Sequence, residues 1–267
     1  MVLISGINTN GDVKEERGTP SLMCLAGCGQ VLAYVGACKR CYDADRLSEH
    51  RASMKAALAS VPARYRDAVW GSAALADRVP DLRGMTKTPA ELLASRILIL
   101  YGETEAGKTS LACALLRWIV DQTAPAPLAA FDAPEAERAA ARAAEVQNDR
   151  ASAVRFVDAR EVPVVRNADG AQAVTVARGA SILFLDDVNQ EAGTGDAFSA
   201  KERCREVSDL LSWVDKHERP IVITTPAGKD GSAASTTERW TALYGGNIMR
   251  RFWRASDAQI IELRRRK

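Results

Sequence analysis

The chain alternates short, continuous apolar runs with segments in which apolar residues recur every three or four positions. Apolar runs cover residues 97–101, 182–185 and 220–223, and each is bounded by polar residues, proline or glycine. Runs of this kind are typical of central strands in a parallel sheet with both faces covered. Helical spacing at 111–119 and 207–214 predicts helices whose apolar faces pack on that sheet. The pattern therefore predicts an α/β domain.

A glycine-bounded loop joins the first run to its helix. Residues 102–109 read GETEAGKT and fit the phosphate-loop pattern G-x-x-x-x-G-K-[ST]. Two glycines let successive backbone N–H groups converge on phosphate oxygens at a helix start, where the helix dipole also favours negative charge. We expect Lys108 to reach the β/γ-phosphates and Thr109 to hold Mg²⁺. The candidate nucleotide-binding residues are Gly102, Glu103, Thr104, Glu105, Ala106, Gly107, Lys108, Thr109 and Ser110.

The alternative interpretation of this segment is a glycine turn that happens to carry Lys-Thr. The order of apolar strand, loop and amphipathic helix favours the phosphate loop. The second apolar run supports it, because this run ends in the carboxylates Asp186 and Asp187. Ligands of parallel sheets bind outside the carboxyl ends of the strands, so we expect Asp186 to complete a Mg²⁺ site with Thr109. Taken alone, the acidic pair could equally be a strand end with a helix cap.

Composition narrows the class of protein. At 267 residues with 47% hydrophobic content, the chain can form one large α/β domain and a small module. The formal net charge of +2 indicates no particular nucleic-acid partner. No segment has the length of a membrane span or the pattern of an export signal. We therefore expect a cytoplasmic protein without a membrane partner.

Four of the six cysteines lie close together near the start of the sequence. They form two pairs, Cys24/Cys28 and Cys38/Cys41, separated by nine residues that favour β-structure. Each pair could bind one side of a tetrahedral Zn²⁺, with a small hairpin between the pairs. We expect a structural zinc module, since four thiolates leave no open coordination position. The alternative is four buried or reactive thiols in a reducing cytosol.

The remaining segments suggest two domains. We predict a zinc module with a linker helix at 1–58 and a nucleotide-binding domain at 59–267. Residues 121–150 begin with alternating Ala and Pro and continue as an alanine-rich charged helix at 134–147, which is typical of a surface insertion. Residues 153–159 alternate as a strand, and 162–176 are expected to form a hairpin.

The segment VPARYRDAVW at 61–70 resembles the Ile-Pro-x-Arg-Tyr-Arg-Asp-Ala opening of the AAA+ domain in ATPases of the DnaC/DnaI/IstB type. The likeness continues through the phosphate loop and the acidic strand to about residue 255. It implies a P-loop AAA+ fold with a parallel central sheet, in which Tyr65 and Arg66 border the adenine. It also implies that Asp187 orients the attacking water, in the place where many AAA+ proteins have Glu.

Two further roles follow from the same resemblance. Residues 244–252 are similar to the family's Tyr-Gly-x-x-Ile-x-x-Arg element, so Arg251 would enter the neighbouring subunit's site in a homo-oligomer. The alternative is a helix with a solvated basic face. In the family, the third apolar run ends in Thr-Ser-Asn, which senses the γ-phosphate. This chain has Pro226 in place of the Asn, so sensing would fall to Thr225 or Thr224.

The resemblance implies a helicase loader that binds and hydrolyses ATP and acts on a replicative helicase and single-stranded DNA. An IstB-like helper that acts with a transposase shares every ATPase residue and stays open as an alternative. A third hypothesis is a nucleotide-gated binding module with little turnover, in which Pro226 impairs hydrolysis.

Overall fold

The computed structural model describes residues 22–23, 28, 31–32, 39–122, 154–162, 174–190 and 197–265. The chain divides into two compact units, Met1–Arg46 and Leu47–Lys267. The domain boundary between residues 58 and 59 stays a prediction.

In the first unit, β1 (Leu22–Met23) pairs antiparallel with β2 (Val31–Leu32). Strand β1 precedes the first cysteine pair. Most of 29–37 lies outside the described residues, so the hairpin expected between the two pairs stays a prediction. A long helix, α1 (Lys39–Ala59), includes Cys41 in its first turn.

The second unit contains a sheet with helices on both faces. Its described strands are β3 (Ile97–Gly102), β4 (Arg155–Asp158), β5 (Leu183–Asp186), β6 (Ile221–Pro226) and β7 (Ala258–Leu263). Its labelled helices are α2 (Ala73–Arg78), α3 (Pro89–Leu93), α4 (Lys108–Gln122), α5 (Ala197–Lys216), α6 (Ala233–Tyr244) and α7 (Gly246–Trp253).

The strand order is β4-β5-β6-β3-β7, and every neighbouring pair is parallel. The strand that precedes the phosphate loop, β3, lies between β6 and β7, and β6 separates it from the acidic strand β5. All the carboxyl ends thus meet at one edge of the sheet, which brings the loop and the acidic pair to the same edge. This mixed α/β fold with a five-stranded parallel sheet is consistent with the predicted P-loop AAA+ domain.

The two faces of the sheet belong to two apolar cores. Side chains alternate along β3, so Leu98 and Leu100 pack in the core that contains α4. Ile97 and Ile99 point the other way, into the core that contains α5, α6 and α7. The same alternation applies to Thr224 and Thr225 of β6, which face opposite sides of the sheet.

Three segments either differ from the sequence prediction or lie outside the residues that the structure describes. Residues 174–178 are helical, so the predicted hairpin is wrong at its end, and 163–173 lie outside the described residues. The predicted helix at 134–147 also lies outside them. Strand β7 was not predicted. None of the helices in the described ranges is long and apolar enough to cross a membrane.

Candidate nucleotide-binding site

The loop between β3 and α4 has the backbone of a close-fitting cradle. Gly107 has a φ of +84°, and a Cβ atom there would overlap the carbonyl oxygen of Arg78. At Gly102, a Cβ would overlap the carbonyl oxygen of Leu263 in the neighbouring strand. Glycine is therefore required at both ends of the loop. Between them, Glu105 adopts a φ of +66°, a strained conformation of the kind that concentrates at functional sites.

Lys108 is folded back into this loop. Its side chain is buried, and its Nζ donates to the carbonyl oxygens of Gly102 at 3.0 Å and Glu103 at 2.6 Å. Burial lowers the pKa of the Lys108 ammonium below its usual range, and the carboxylates of Asp187 and Asp186 act in the opposite direction. A buried cation held by neutral carbonyls is well placed to bind an anion in the loop.

Asp186 contacts the first helical turn after the loop. The Thr109 Oγ1 donates to Asp186 Oδ1 at 2.9 Å, and the Thr224 Oγ1 donates to the same oxygen. Burial raises the pKa of the Asp186 carboxyl to about 6, and the charge of Asp187 adds to this rise, while the two hydroxyls lower it. A buried carboxylate beside a threonine hydroxyl offers the oxygen ligands that Mg²⁺ prefers. The residues present therefore fit a magnesium ion.

Asp187 lies at the mouth of the site in an ion pair that the sequence did not reveal. Its φ is +55°, and its N–H donates to the Thr224 hydroxyl at 2.9 Å. Its Oδ2 lies 3.3 Å from a guanidinium nitrogen of Arg160, which is also 2.5 Å from Asp158 Oδ2. Asp187 thus faces the cavity with its charge partly neutralised by Arg160.

Lys108, Thr109, Arg160 and Asp187 line one cavity of about 770 Å³ at the carboxyl edge of the sheet. Pockets of about 300–1,000 Å³ commonly hold small molecules and cofactors. Its lining comes from the loop, from the acidic strand and from the segment before α2. Its lining residues include Arg64, Tyr65, Lys108, Thr109, Arg160, Asp187, Pro226 and Arg265.

The structure brings Tyr65 to this cavity but not Arg66. Tyr65 ends a 3₁₀ turn, and the Arg64 guanidinium lies 4.7 Å from the centre of its ring. Arg66 instead lines a neighbouring cavity of about 830 Å³, and its carbonyl oxygen accepts from Arg117. Arg64 lines both cavities, whereas Arg66 lines the neighbouring one and not the candidate site. The expectation for Arg66 is therefore corrected to Arg64.

Thr225 does not reach the cavity. Its hydroxyl donates to the Val188 carbonyl oxygen at 2.8 Å and accepts from Trp240 Nε1 at 3.2 Å. Because alternate residues of a strand face opposite sides, Thr225 points into the core of α5–α7 and Thr224 points to Asp186. The assignment of Thr225 as a phosphate sensor is therefore wrong for this arrangement. The strand presents Pro226 to the cavity instead.

Arg251 lies at the opposite edge of the sheet from its own phosphate loop. Its guanidinium is 3.1 Å from Asp215, and Asp215 is 3.5 Å from Arg96, which directly precedes β3. A six-residue strand is about 20 Å long, so Arg251 lies about that far from the carboxyl edge. It cannot serve the site of its own subunit. Its role in a neighbouring subunit stays a prediction.

The zinc prediction falls largely outside the structure's description. Cys24 and Cys38 are not among the described residues, whereas Cys28 is exposed and Cys41 is partly exposed. Within the ranges that are described, no group of three or more His, Cys, Asp or Glu side chains could hold a metal ion. The four-cysteine zinc site stays a prediction.

No protein-family model and no curated protein matches the chain. Among solved structures, the chain is similar to the DnaC helicase loader at 14% identity, over 76% of this chain and 99% of that one, with a TM-score of 0.45. It is also similar to AMPPCP-bound DnaA from Aquifex aeolicus at 16% identity, over 69% of this chain and 43% of that one, with a TM-score of 0.37.

Proposed function

We propose that this protein is an ATPase of the AAA+ helicase-loader type, which binds and hydrolyses Mg·ATP and acts on a replicative helicase and single-stranded DNA. One observation carries the ATPase part of the proposal: Lys108, Thr109, Asp186 and Asp187 meet at the same edge of the sheet around the glycine loop. The helicase and DNA part rests on the resemblance of residues 61–70 and 244–252 to that family.

Each residue would have a distinct task in phosphoryl transfer. The N–H groups of the loop and Lys108 would bind the phosphates, and Thr109 and Asp186 would hold a magnesium ion, which would neutralise charge on the phosphate oxygens. Asp187 orients the attacking water once its pairing with Arg160 is loosened. Arg251 of an adjacent subunit would stabilise the charge that develops on the transferred group.

The zinc module would serve as the docking piece for the helicase. With four cysteine ligands, the metal would stabilise a segment too short to build its own core.

Nucleotide titration and phosphate release test the ATPase proposal. Lys108→Ala should weaken ATP binding at least about tenfold, because it removes the buried cation of the loop. Lys87→Ala, at an exposed lysine away from the cavity, is the matched control and should behave like the wild type. Equal ATP binding by wild type and Lys108→Ala would refute the site.

A pull-down from the host lysate, with ATP and with a non-hydrolysable analogue, tests the partner. Nucleotide-dependent recovery of the replicative helicase supports the loader. Recovery of a transposase would instead favour the IstB-like alternative, whose ATPase residues are the same.

A specific observation favours a second candidate, an ATP-binding switch with little turnover. The end of β6 presents Pro226 to the cavity, whereas the Thr225 hydroxyl is engaged in the opposite core. No polar side chain of residues 225 and 226 then faces the phosphates. Tight ATP binding with undetectable phosphate release, both with and without single-stranded DNA, would select this candidate.

A further inference from the structure

The two arginines that directly follow β7 lie beside the phosphate loop. Strand β7 is parallel to β3, and Leu263 is the register partner of Gly102, so the residues after β7 leave the sheet where the loop begins. Leu263 is buried, and the Arg264 N–H donates to Asp81 Oδ2 at 2.7 Å. Leu263 and Arg264 are thus both held in place, which limits the positions that the Arg265 side chain can reach.

Arg265 reaches the mouth of the nucleotide cavity. Its guanidinium lies 2.9 Å from Glu105 Oε2, in the middle of the loop, and it lines the cavity together with Lys108 and Thr109. The Arg265 and Glu105 side chains are 61% and 66% exposed. An ion pair this exposed contributes little to stability, so a stronger anion can take over the guanidinium. A triphosphate is such an anion, because a guanidinium matches phosphate oxygens in geometry and charge.

We infer that Arg265 is a phosphate ligand for the bound nucleotide, supplied by the C-terminal end of β7, and that Glu105 holds it in place before the nucleotide binds. This inference rests on the proposed function and adds a residue that no part of the phosphate-loop pattern predicts. Binding would exchange the Glu105 carboxylate for a phosphate at the Arg265 guanidinium.

The neighbouring arginine provides a matched control. The Arg264 guanidinium lies 3.3 Å from Glu262 and is absent from the described lining of the nucleotide cavity. Arg264 and Arg265 carry the same charge at nearly the same place. A general field effect would therefore act through both, whereas a direct contact would act only through Arg265.

Titration of the full-length protein with fluorescent ATP and Mg²⁺ tests the inference. Arg265→Ala should raise the Kd about tenfold and Arg264→Ala less than about twofold, with Arg265→Lys between them. Adenosine, which has no phosphates, should bind wild type and Arg265→Ala equally. Unchanged melting temperatures exclude a folding defect as the cause.

A double-mutant cycle tests the exchange of partners. Glu105→Gln should tighten ATP binding in the wild type, because it releases Arg265, and should have a smaller effect in the Arg265→Ala background. Equal losses for Arg264→Ala and Arg265→Ala, or no loss for Arg265→Ala while the wild type binds ATP, would overturn the inference alone. Failure of the wild type to bind ATP would overturn the proposed function as well.

Discussion

Replacing Asp186 with Asn should make the protein more stable in the absence of nucleotide while it abolishes the proposed magnesium site. The Asp186 carboxyl is 3% exposed, and its pKa is raised from 3.8 to about 6, first by burial and then by the charge of Asp187. Above about pH 6 the folded protein must therefore hold an unfavourable charge that the unfolded chain holds without cost. Asn removes this charge at nearly constant shape.

The magnitude follows from the displaced pKa. A rise of about two pH units corresponds to about 3 kcal/mol of destabilisation well above pH 6. Part of this is lost in the variant, because an amide satisfies the hydroxyls of Thr109 and Thr224 less well than a carboxylate does. We expect Asp186→Asn to gain about 1–2 kcal/mol at about pH 7.5, or about 2–8 °C in melting temperature.

The stability difference between Asp186→Asn and the wild type should also depend on pH. Because the folded pKa lies above the unfolded one, the proton stabilises the wild type at low pH, and this contribution disappears as pH rises through about 6. The stability gap between Asp186→Asn and the wild type should therefore shrink by about 1.4 kcal/mol between about pH 7.5 and about pH 5. Urea unfolding followed by tryptophan fluorescence, without Mg²⁺ or nucleotide, measures the gap at each pH.

Asp187→Asn is the matched control, since it removes the same charge one residue away. The Asp187 side chain is 24% exposed and already pairs with Arg160. Its removal loses this ion pair while it relieves part of the penalty at Asp186, so Asp187→Asn should gain clearly less than Asp186→Asn. Saturating Mg·ATP should reverse the order, because it stabilises the wild type and not Asp186→Asn. An equal gain in the control, or a gap for Asp186→Asn that does not change with pH, would refute the reasoning.

Three further predictions concern other parts of the molecule. Gly107→Ala should lower the melting temperature and ATP affinity more than Gly245→Ala does, because both have a φ of +84° but only Gly107 is crowded; thermal unfolding and ATP titration measure this. Arg251→Ala and Asp187→Asn should each lack turnover, and mixing them should restore part of it if Arg251 acts across subunits; phosphate release decides, and no recovery contradicts the role. The wild type should release about one zinc per chain on thiol modification and Cys38→Ser much less, as a metal-sensitive dye would report.

The sequence predicted those parts of the site whose signal is local. The loop from Gly102 to Thr109 is specified by consecutive residues, and Asp186 by its place at the end of an apolar run. Both could be placed at one edge of the sheet because parallel strands end at the same edge. The strand at 97–101 and the helix after it could be predicted because an apolar run and helical spacing are patterns of neighbouring residues.

The features that the sequence did not predict depend on contacts between distant segments or on the register of the strands. Arg160 lies in the 3₁₀ turn that follows an edge strand, and nothing in the sequence around it indicates that it pairs with Asp187, twenty-seven positions later. Counting alternate residues along β6 would have selected Thr224 over Thr225, since Thr224 shares its face with Val222. Strand β7 carries exposed polar and apolar residues without a clean period, so its pairing with β3 appears only in three dimensions.

The cations around the cavity suggest how nucleotide binding would affect other parts of the molecule. Lys108 is held by loop carbonyls, Arg160 by Asp187 and Asp158, and Arg265 by Glu105. A triphosphate bound as proposed would have to replace several of these partners. The three cations belong to different segments: the loop, the end of edge strand β4, and the chain after edge strand β7. Nucleotide binding at the proposed site would therefore change contacts at both outer strands of the sheet at once.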